Sequence, residues 1–288
     1  MRSPPRGASG GALAAAWPDD QGQQAYAGRV AHITWENPEW HPTIDSTNLE
    51  AARDPRPGRV IVADHQSAGL GRRGRTWTAP PDTSVAISVV LPAPGPDRIG
   101  WVPLLTGLAV ARAVEDSRYA VPVALKWPND VLAREGDQWL KVCGVLAQGL
   151  PVTPAGPVVV VGAGVNIDQT RDQLPVETAT SWRLARGGPD GKVTGPLPEG
   201  TREQFVTDYL SRLAHWMGAL VTDPGTVRTA YAERCVTLGQ VVRVHQPDGS
   251  QRVGLAVAVD DAGALVVEGD GRRTTHLAGD VVHVRRAG

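Results

Sequence analysis

Apolar residues along the chain follow two regimes. The first begins with DSTNLEAA at 45–52, which reads as a helix start with Thr47 and Glu50 in the spacing of a capping box. Runs rich in β-branched residues at 59–64 (RVIVAD), 84–91 (SVAISVVL), about 123–126, 142–148 and 158–162 read as buried strands. Leu104, Leu105, Leu108, Val110, Ala111 and Val114 recur at helical spacing, which predicts a core helix over about 101–117. Val206, Leu210, Leu213, Met217 and Leu220 make a second helical stripe from about Arg202, and a shorter helix spans about 226–234. Residues 185–200 (ARGGPDGKVTGPLPEG) are a loop by their content of breakers.

After Cys235 the period changes to two. Short alternating strands at 240–245, 251–259, 264–268, 273–276 and 281–285, separated by PDG, DDAG and GDG, have the spacing of a small all-β barrel. Residues 1 to about 28 show no period and are rich in Pro, Gly, Ala and Gln, so order is expected to begin near Val30. The expected organisation is a disordered tail over 1–29, a mixed α/β (α+β) domain over 30–235 and a barrel over 236–288.

Composition changes this picture little. At 288 residues the chain exceeds one ordinary domain, so a domain of about 200 residues plus a smaller one is expected, and a hydrophobic content of 41% is enough for a real core. A net charge of -1 argues against broad affinity for a nucleic-acid backbone. Two cysteines, Cys143 and Cys235, provide neither a disulfide framework nor a thiolate zinc site, so a reducing cytoplasm is the expected location. The seven histidines include no HxxxH pair, which argues against a protein-ligated transition metal. No run reaches the roughly 18 apolar residues that a membrane helix needs.

Two segments carry the candidate chemistry. Gly69, Gly71 and Gly74 fit GxGxxG after a strand, yet Pro80 and Pro81 stop the helix that a dinucleotide fingerprint must open. What remains is a loop with Arg72, Arg73 and Arg75, flanked by Trp77; taken alone it could equally be a solvated charged turn. The run KWPND, Lys126 to Asp130, follows a strand end, where open sheets bind ligands, although PND alone would read as a turn. Together the segments offer cations, amides and backbone N–H groups to two anionic ligands. Ser46, Thr47 and Asn48 read most simply as a helix cap, Lys141 as a guard on a strand edge, Cys143 as core, and Asn166 as part of a turn after GAG.

Placed in order, IDSTN, ADHQSAGLGRRGRTW, LKWPNDVL, LKVCGVL and VVVGAGVNID resemble the motif series of bacterial biotin protein ligases from about Asp45 to the C terminus. The resemblance implies a class II synthetase-like biotin/lipoyl ligase catalytic domain with a C-terminal SH3-like barrel. It implies ATP-dependent activation of biotin to biotinyl-AMP, then transfer to a lysine of the biotin carboxyl carrier domain of acyl-CoA carboxylases, with Mg²⁺. By this resemblance Ser46, Thr47, Asn48, Gln66, Gly71, Arg72 and Lys141 contact biotin. Arg72, Arg75, Trp77, Lys126, Asn129, Asp130 and Asn166 contact ATP or the adenylate; Arg72, Lys126, Lys141 and Asp130 carry the chemistry, with Asp130 also the metal ligand. Leu70 departs from the family's usual GRGRRGR loop, which predicts weaker retention of the adenylate.

The rival readings are a lipoate or octanoate ligase of the same architecture and a non-catalytic biotin sensor. The weakly patterned residues before Val30 are too few for a DNA-binding domain, so the monofunctional form without operator binding is expected. A homodimer is left open.

Overall fold

The computed structural model describes residues 27–150, 153, 156–187, 195–245, 249–277 and 279–283. Residues 1–26 of the expected 1–29 tail, the middle of the expected loop at 188–194, most of the PDG turn and the last expected strand beyond His283 lie outside them. The last residues of that expected tail do not fit it: residues 27–31 are helical, and Val30 belongs to the core.

The strands of the first unit are β1 (Glu39–His41), β2 (Val60–Ala63), β3 (Gly69–Leu70), β4 (Thr76–Trp77), β5 (Ser84–Pro92), β6 (Val123–Lys126), β7 (Asp130–Glu135), β8 (Gln138–Gly149) and β9 (Val158–Asn166). Its longer helices are α1 (Thr47–Arg53), α2 (Trp101–Glu115), α3 (Thr201–Thr222) and α4 (Pro224–Ala232). Seven strands form one sheet in the order β1-β2-β5-β9-β8-β7-β6, antiparallel except for β1 beside β2, and β3 and β4 make a separate hairpin. The sequence does not announce β1, too short to show a period, or β7, whose DVLARE mixes charge with apolar residues.

Side-chain alternation divides the two faces of this sheet. Val85, Ile87, Val89 and Leu91 of β5 join Val159, Val161, Ala163 and Val165 of β9 in the main core against α2. Helix α2 is buried nearly all round, as its apolar content requires, with Pro103 tolerated in its first turn. The intervening residues face α1: Ala51 packs on Ile61, Val90, Val158 and Val160 in a smaller cluster at one end. Toward the other end that face carries Ala86, Gly144, Gly162 and Gly164, too small to fill the space, and a cleft opens there.

The second unit holds β10 (Val241–His245), β11 (Gln251–Val259), β12 (Leu265–Gly269), β13 (Arg272–His276) and β14 (Asp280–His283) in the order β13-β12-β11-β10-β14, all antiparallel. The expected barrel is thus a five-stranded sheet whose end strands do not pair among the described residues. Two indoles fix it to the first unit through one turn: Trp101 Nε1 donates to Asp261 O at 3.0 Å and Trp127 Nε1 to Gly263 O at 3.1 Å. Gly263, at φ 81°, lies so close to Gly100 that a Cβ there would meet the Gly100 carbonyl carbon at 2.7 Å. No helix among the described residues is long and apolar enough to cross a membrane.

Candidate active site

The cleft, about 690 Å³ including its open mouth, lies between the α1 face of the sheet, the start of α1 and the β3–β4 hairpin. Ser46, Thr47, Asn48, Gln66, Gly71, Arg72, Arg75, Trp77, Asn129 and Lys141 all line it, so the fold gathers residues that are up to 95 positions apart, from Ser46 to Lys141.

One end is neutral and buried. Ser46, Thr47 and Asn48 are 1%, 3% and 4% exposed. The expected capping box is absent: Ser46 is the N-cap and makes no side-chain cap bond. Thr47 instead gives its N–H to Gln66 Oε1 at 2.8 Å, with its hydroxyl 3.1 Å from the same oxygen and 2.7 Å from Ser88 Oγ. Asn48 Nδ2 donates to Gln148 Oε1 at 2.8 Å and Leu146 O at 3.3 Å, while its Oδ1 accepts from Ser88 at 2.6 Å. The helix start is therefore held by side chains of the sheet and of the 65–67 segment, and it presents its own polar groups to the cleft. Ser46 Oγ is buried there without a partner. An unpaired buried polar group costs roughly 1–3 kcal/mol, so this atom marks where a ligand's polar group belongs.

Glycines make the floor, a feature that sequence reasoning missed. Gly144 and Gly164 sit directly opposite each other on β8 and β9. The Trp77 indole lies across them: a Cβ at Gly164 would meet its Cε2 at 2.5 Å, and one at Gly144 its Cζ3 at 3.1 Å. GAG was expected to lead into a turn, yet β9 continues through it to Asn166. Trp77 Nε1 is buried and unpaired, and the Lys141 ammonium lies 6.0 Å from the ring centroid.

The other end is cationic. Lys141 lies within β8, not before a strand, and reaches the cleft through a bulge. Val131 pairs with Cys143 and Leu132 with Lys141, so Val142 is the extra residue. Strict alternation from Gly144 would aim Val142 at the cleft; the bulge sends Val142 into the core and turns Lys141 outward beside Gly144. Asp130, across from Gly144, bonds Lys141 Nζ at 2.5 Å. Asn129 gives Nδ2 to Val145 O at 2.9 Å and accepts Arg72 Nη1 at 2.9 Å. Arg72 also reaches Gly279 O of the second unit, and Arg75 lines the cleft with its Nε on Arg72 O. Arg73, at φ 56°, turns away to His245 O.

The KWPND run therefore divides among different tasks. Trp127 is 1% exposed and plugs the junction of the two units, with its N–H on Thr237 Oγ1. Lys126, on edge strand β6, does not line the cleft. It stands near His283, whose imidazole is held below its ordinary value by burial and then by the Lys126 charge. Asp130 touches the site only through Lys141. Asn166 lies outside the cleft lining as well: its Nδ2 donates to Thr180 O and its Oδ1 accepts from Gln169, which closes the loop after β9.

Cys143 is fully buried beside this end, and burial pushes its thiol well up despite the nearby Lys141. Nothing activates it as a nucleophile. Among the described residues no group of three or more His, Cys, Asp or Glu side chains could hold a metal. Asp130, the residue expected to hold a metal, is a single carboxylate already bonded to Lys141 Nζ.

A family model described as the Biotin/lipoate A/B protein ligase family matches residues 40–166, and one described as the Biotin protein ligase C terminal domain matches residues 237–284. The biotin--[acetyl-CoA-carboxylase] ligase of Mycobacterium tuberculosis is 36% identical over 234 residues, which cover 79% of this chain and 80% of the relative. That of Paracoccus denitrificans is 30% identical over 243 residues, 82% of this chain and 96% of the relative. A solved structure of the biotin protein ligase from Aquifex aeolicus in complex with biotin and ATP superposes with a TM-score of 0.67 at 24% identity, covering 87% of this chain and 100% of that one. At that identity the likeness bears on the fold.

Proposed function

The chain belongs to the biotin protein ligases of the biotin/lipoate A/B protein ligase family, and from that premise we propose which residues of the cleft carry its two half reactions. It activates biotin with ATP and transfers it to acetyl-CoA carboxylase. The acceptor of the transfer is a lysine of the biotin carrier domain.

Biotin's ring system takes the neutral end, where Ser46, Thr47 and Gln66 meet a cyclic urea with hydrogen-bonding groups of both kinds. The carboxylate extends toward Lys141 and Arg72. Adenine stacks on the Trp77 indole, which can lie across the floor only because Gly144 and Gly164 carry no side chains.

In the first half reaction a carboxylate oxygen of biotin bonds to the α-phosphorus of ATP, and the bond to pyrophosphate breaks. Like charges must approach, so cations fixed in place before the reaction contribute most to lowering the barrier. Lys141 and Arg72 keep this role, and Arg75, which lines the cleft, takes the place expected for Lys126. Asp130 holds Lys141 before ATP arrives and would be the carboxylate to hold a Mg²⁺ carried on the phosphates. That ion would neutralise charge on the phosphate oxygens. In the second half reaction the carrier's lysine amine bonds to the acyl carbon, the mixed anhydride breaks, AMP leaves with the electron pair and the amine loses a proton. The β3–β4 hairpin, which carries Arg72 and Arg75, excludes water from the anhydride and has to move for the carrier to enter.

The observation that carries this reading is the meeting of a buried neutral wall with Lys141, Arg72 and Arg75 in one cleft. Exchange of labelled pyrophosphate into ATP tests it. Exchange is expected with biotin and not with lipoate; equal exchange with lipoate, or none with biotin, would contradict it.

A further inference from the structure

Behind the neutral wall stands Ser88, in the middle of β5 and 0% exposed, which does not line the cleft. Its hydroxyl lies 2.6 Å from Asn48 Oδ1 and 2.7 Å from Thr47 Oγ1. It has one proton for two neighbours. Asn48 decides the matter: the Leu146 carbonyl can only accept, so the amide nitrogen must face it and Gln148, and Oδ1 must face Ser88. An amide oxygen cannot donate, so the Ser88 proton goes to Asn48. Ser88 Oγ then accepts from Thr47, whose own proton points into the wall. Gln66 competes weakly for that proton, being further at 3.1 Å and already bonded to the Thr47 N–H.

What Thr47 shows the cleft is therefore a lone pair. By the same logic Gln66, with its oxygen on Thr47, has its amide nitrogen left as a donor. We propose that Ser88 is a positioning residue that fixes Thr47 as a hydrogen-bond acceptor, and so makes the cleft select a ligand bringing an N–H to Thr47. A cyclic urea does this; a plain acyl chain or a cyclic carbamate with oxygen in place of that N–H does not. The proposal rests on the placement of biotin's ring system at the neutral end.

A second observation supports it. Gly162 is the cross-strand partner of Ser88, and a Cβ there would meet Asn48 Oδ1 at 2.1 Å and Ser88 Oγ at 2.9 Å. The Asn48–Ser88 contact thus exists because position 162 has no side chain.

The test compares biotin with its cyclic carbamate analogue in pyrophosphate exchange, in wild type, Ser88→Ala and Ser88→Cys. Cysteine keeps most of the volume and serves if alanine does not fold. A site that must pair a buried polar group rejects an analogue that cannot pair with it, so wild type is expected to favour the urea by about 100-fold or more. In Ser88→Ala the Thr47 hydroxyl can turn, and the preference is expected to fall below about tenfold as KM for biotin rises about tenfold and KM for ATP stays within about twofold. An unchanged preference in folded variants would overturn the proposal and leave the function standing. Absence of biotin-dependent exchange in wild type would sink the reading of the cleft, and this proposal with it.

Discussion

The two ends of the cleft solve opposite problems. At the neutral end the buried side chains are positioned by others: Thr47 by Gln66 and Ser88, and Asn48 by Gln148 and Leu146. At the cationic end Arg72 and Arg75 sit on a two-stranded hairpin, and Lys141, with about a third of its side chain exposed, is held by one carboxylate. Rigid neutral walls discriminate between ligands because an unpaired buried group is costly, whereas half-exposed cations can follow charge as it moves along a reaction. The comparison teaches that recognition and chemistry are segregated here, which makes them separable by mutation.

The largest effect is expected from Lys141→Met. Removing one positioned donor from a developing charge typically costs 10²–10³ in rate, so biotin-dependent exchange should fall by about that factor at saturating substrates. A fall of less than about tenfold would mean that Arg72 and Arg75 suffice and that the bulge at Val142 has no catalytic purpose.

Gly164→Val sharpens the boundary between the ends. Its side chain would occupy the place of the Trp77 indole, so KM for ATP should rise by about 10–100-fold, while calorimetric titration of biotin alone should change by less than about threefold. Loss of biotin affinity to the same degree would show that the floor belongs to both ligands.

Substitutions on the hairpin should act on retention. Arg72→Gly removes the bonds to Asn129 and Gly279 and is expected to speed dissociation of biotinyl-AMP by about tenfold, near 1.4 kcal/mol. Leu70→Arg, at the mouth of the cleft, should slow it by about two- to fivefold, as one exposed charge contributes little. Stopped-flow release of the preformed intermediate measures both, and no change in either variant would remove the hairpin from the account.

The smallest effect belongs to Cys143→Ser. The buried thiol takes no part, so both half reactions should stay within about twofold, with a loss of roughly 1 kcal/mol in stability from a hydroxyl in an apolar place. Strong inactivation would reveal a covalent step absent from this scheme.

Much of the fold was legible because buried strands and helices leave periods in sequence: β5, α2, the stripe of α3 and the alternation of β10–β13 lie where the pattern predicts. The cleft was legible mainly through resemblance. Spacing cannot tell that Ser46–Asn48 form a ligand wall, since the same triplet caps helices; only the partners Gln66, Ser88 and Gln148, brought in by the fold, reveal it. The role of Trp127 was hidden for the same reason, since an indole that plugs a junction and one that faces solvent or a ligand look alike in sequence. The bulge at Val142 and the facing of Gly144 with Gly164 are matters of register, which no single strand encodes.

The most direct test measures biotin affinity without ATP beside exchange activity in Lys141→Met and Gly162→Ala. Segregated ends predict that Lys141→Met keeps biotin affinity within about threefold while losing at least about 100-fold in exchange, and that Gly162→Ala loses about tenfold or more in affinity with a smaller change in saturated rate. Parallel losses of affinity and rate in both variants would contradict the division of the cleft into a recognising end and a reacting end.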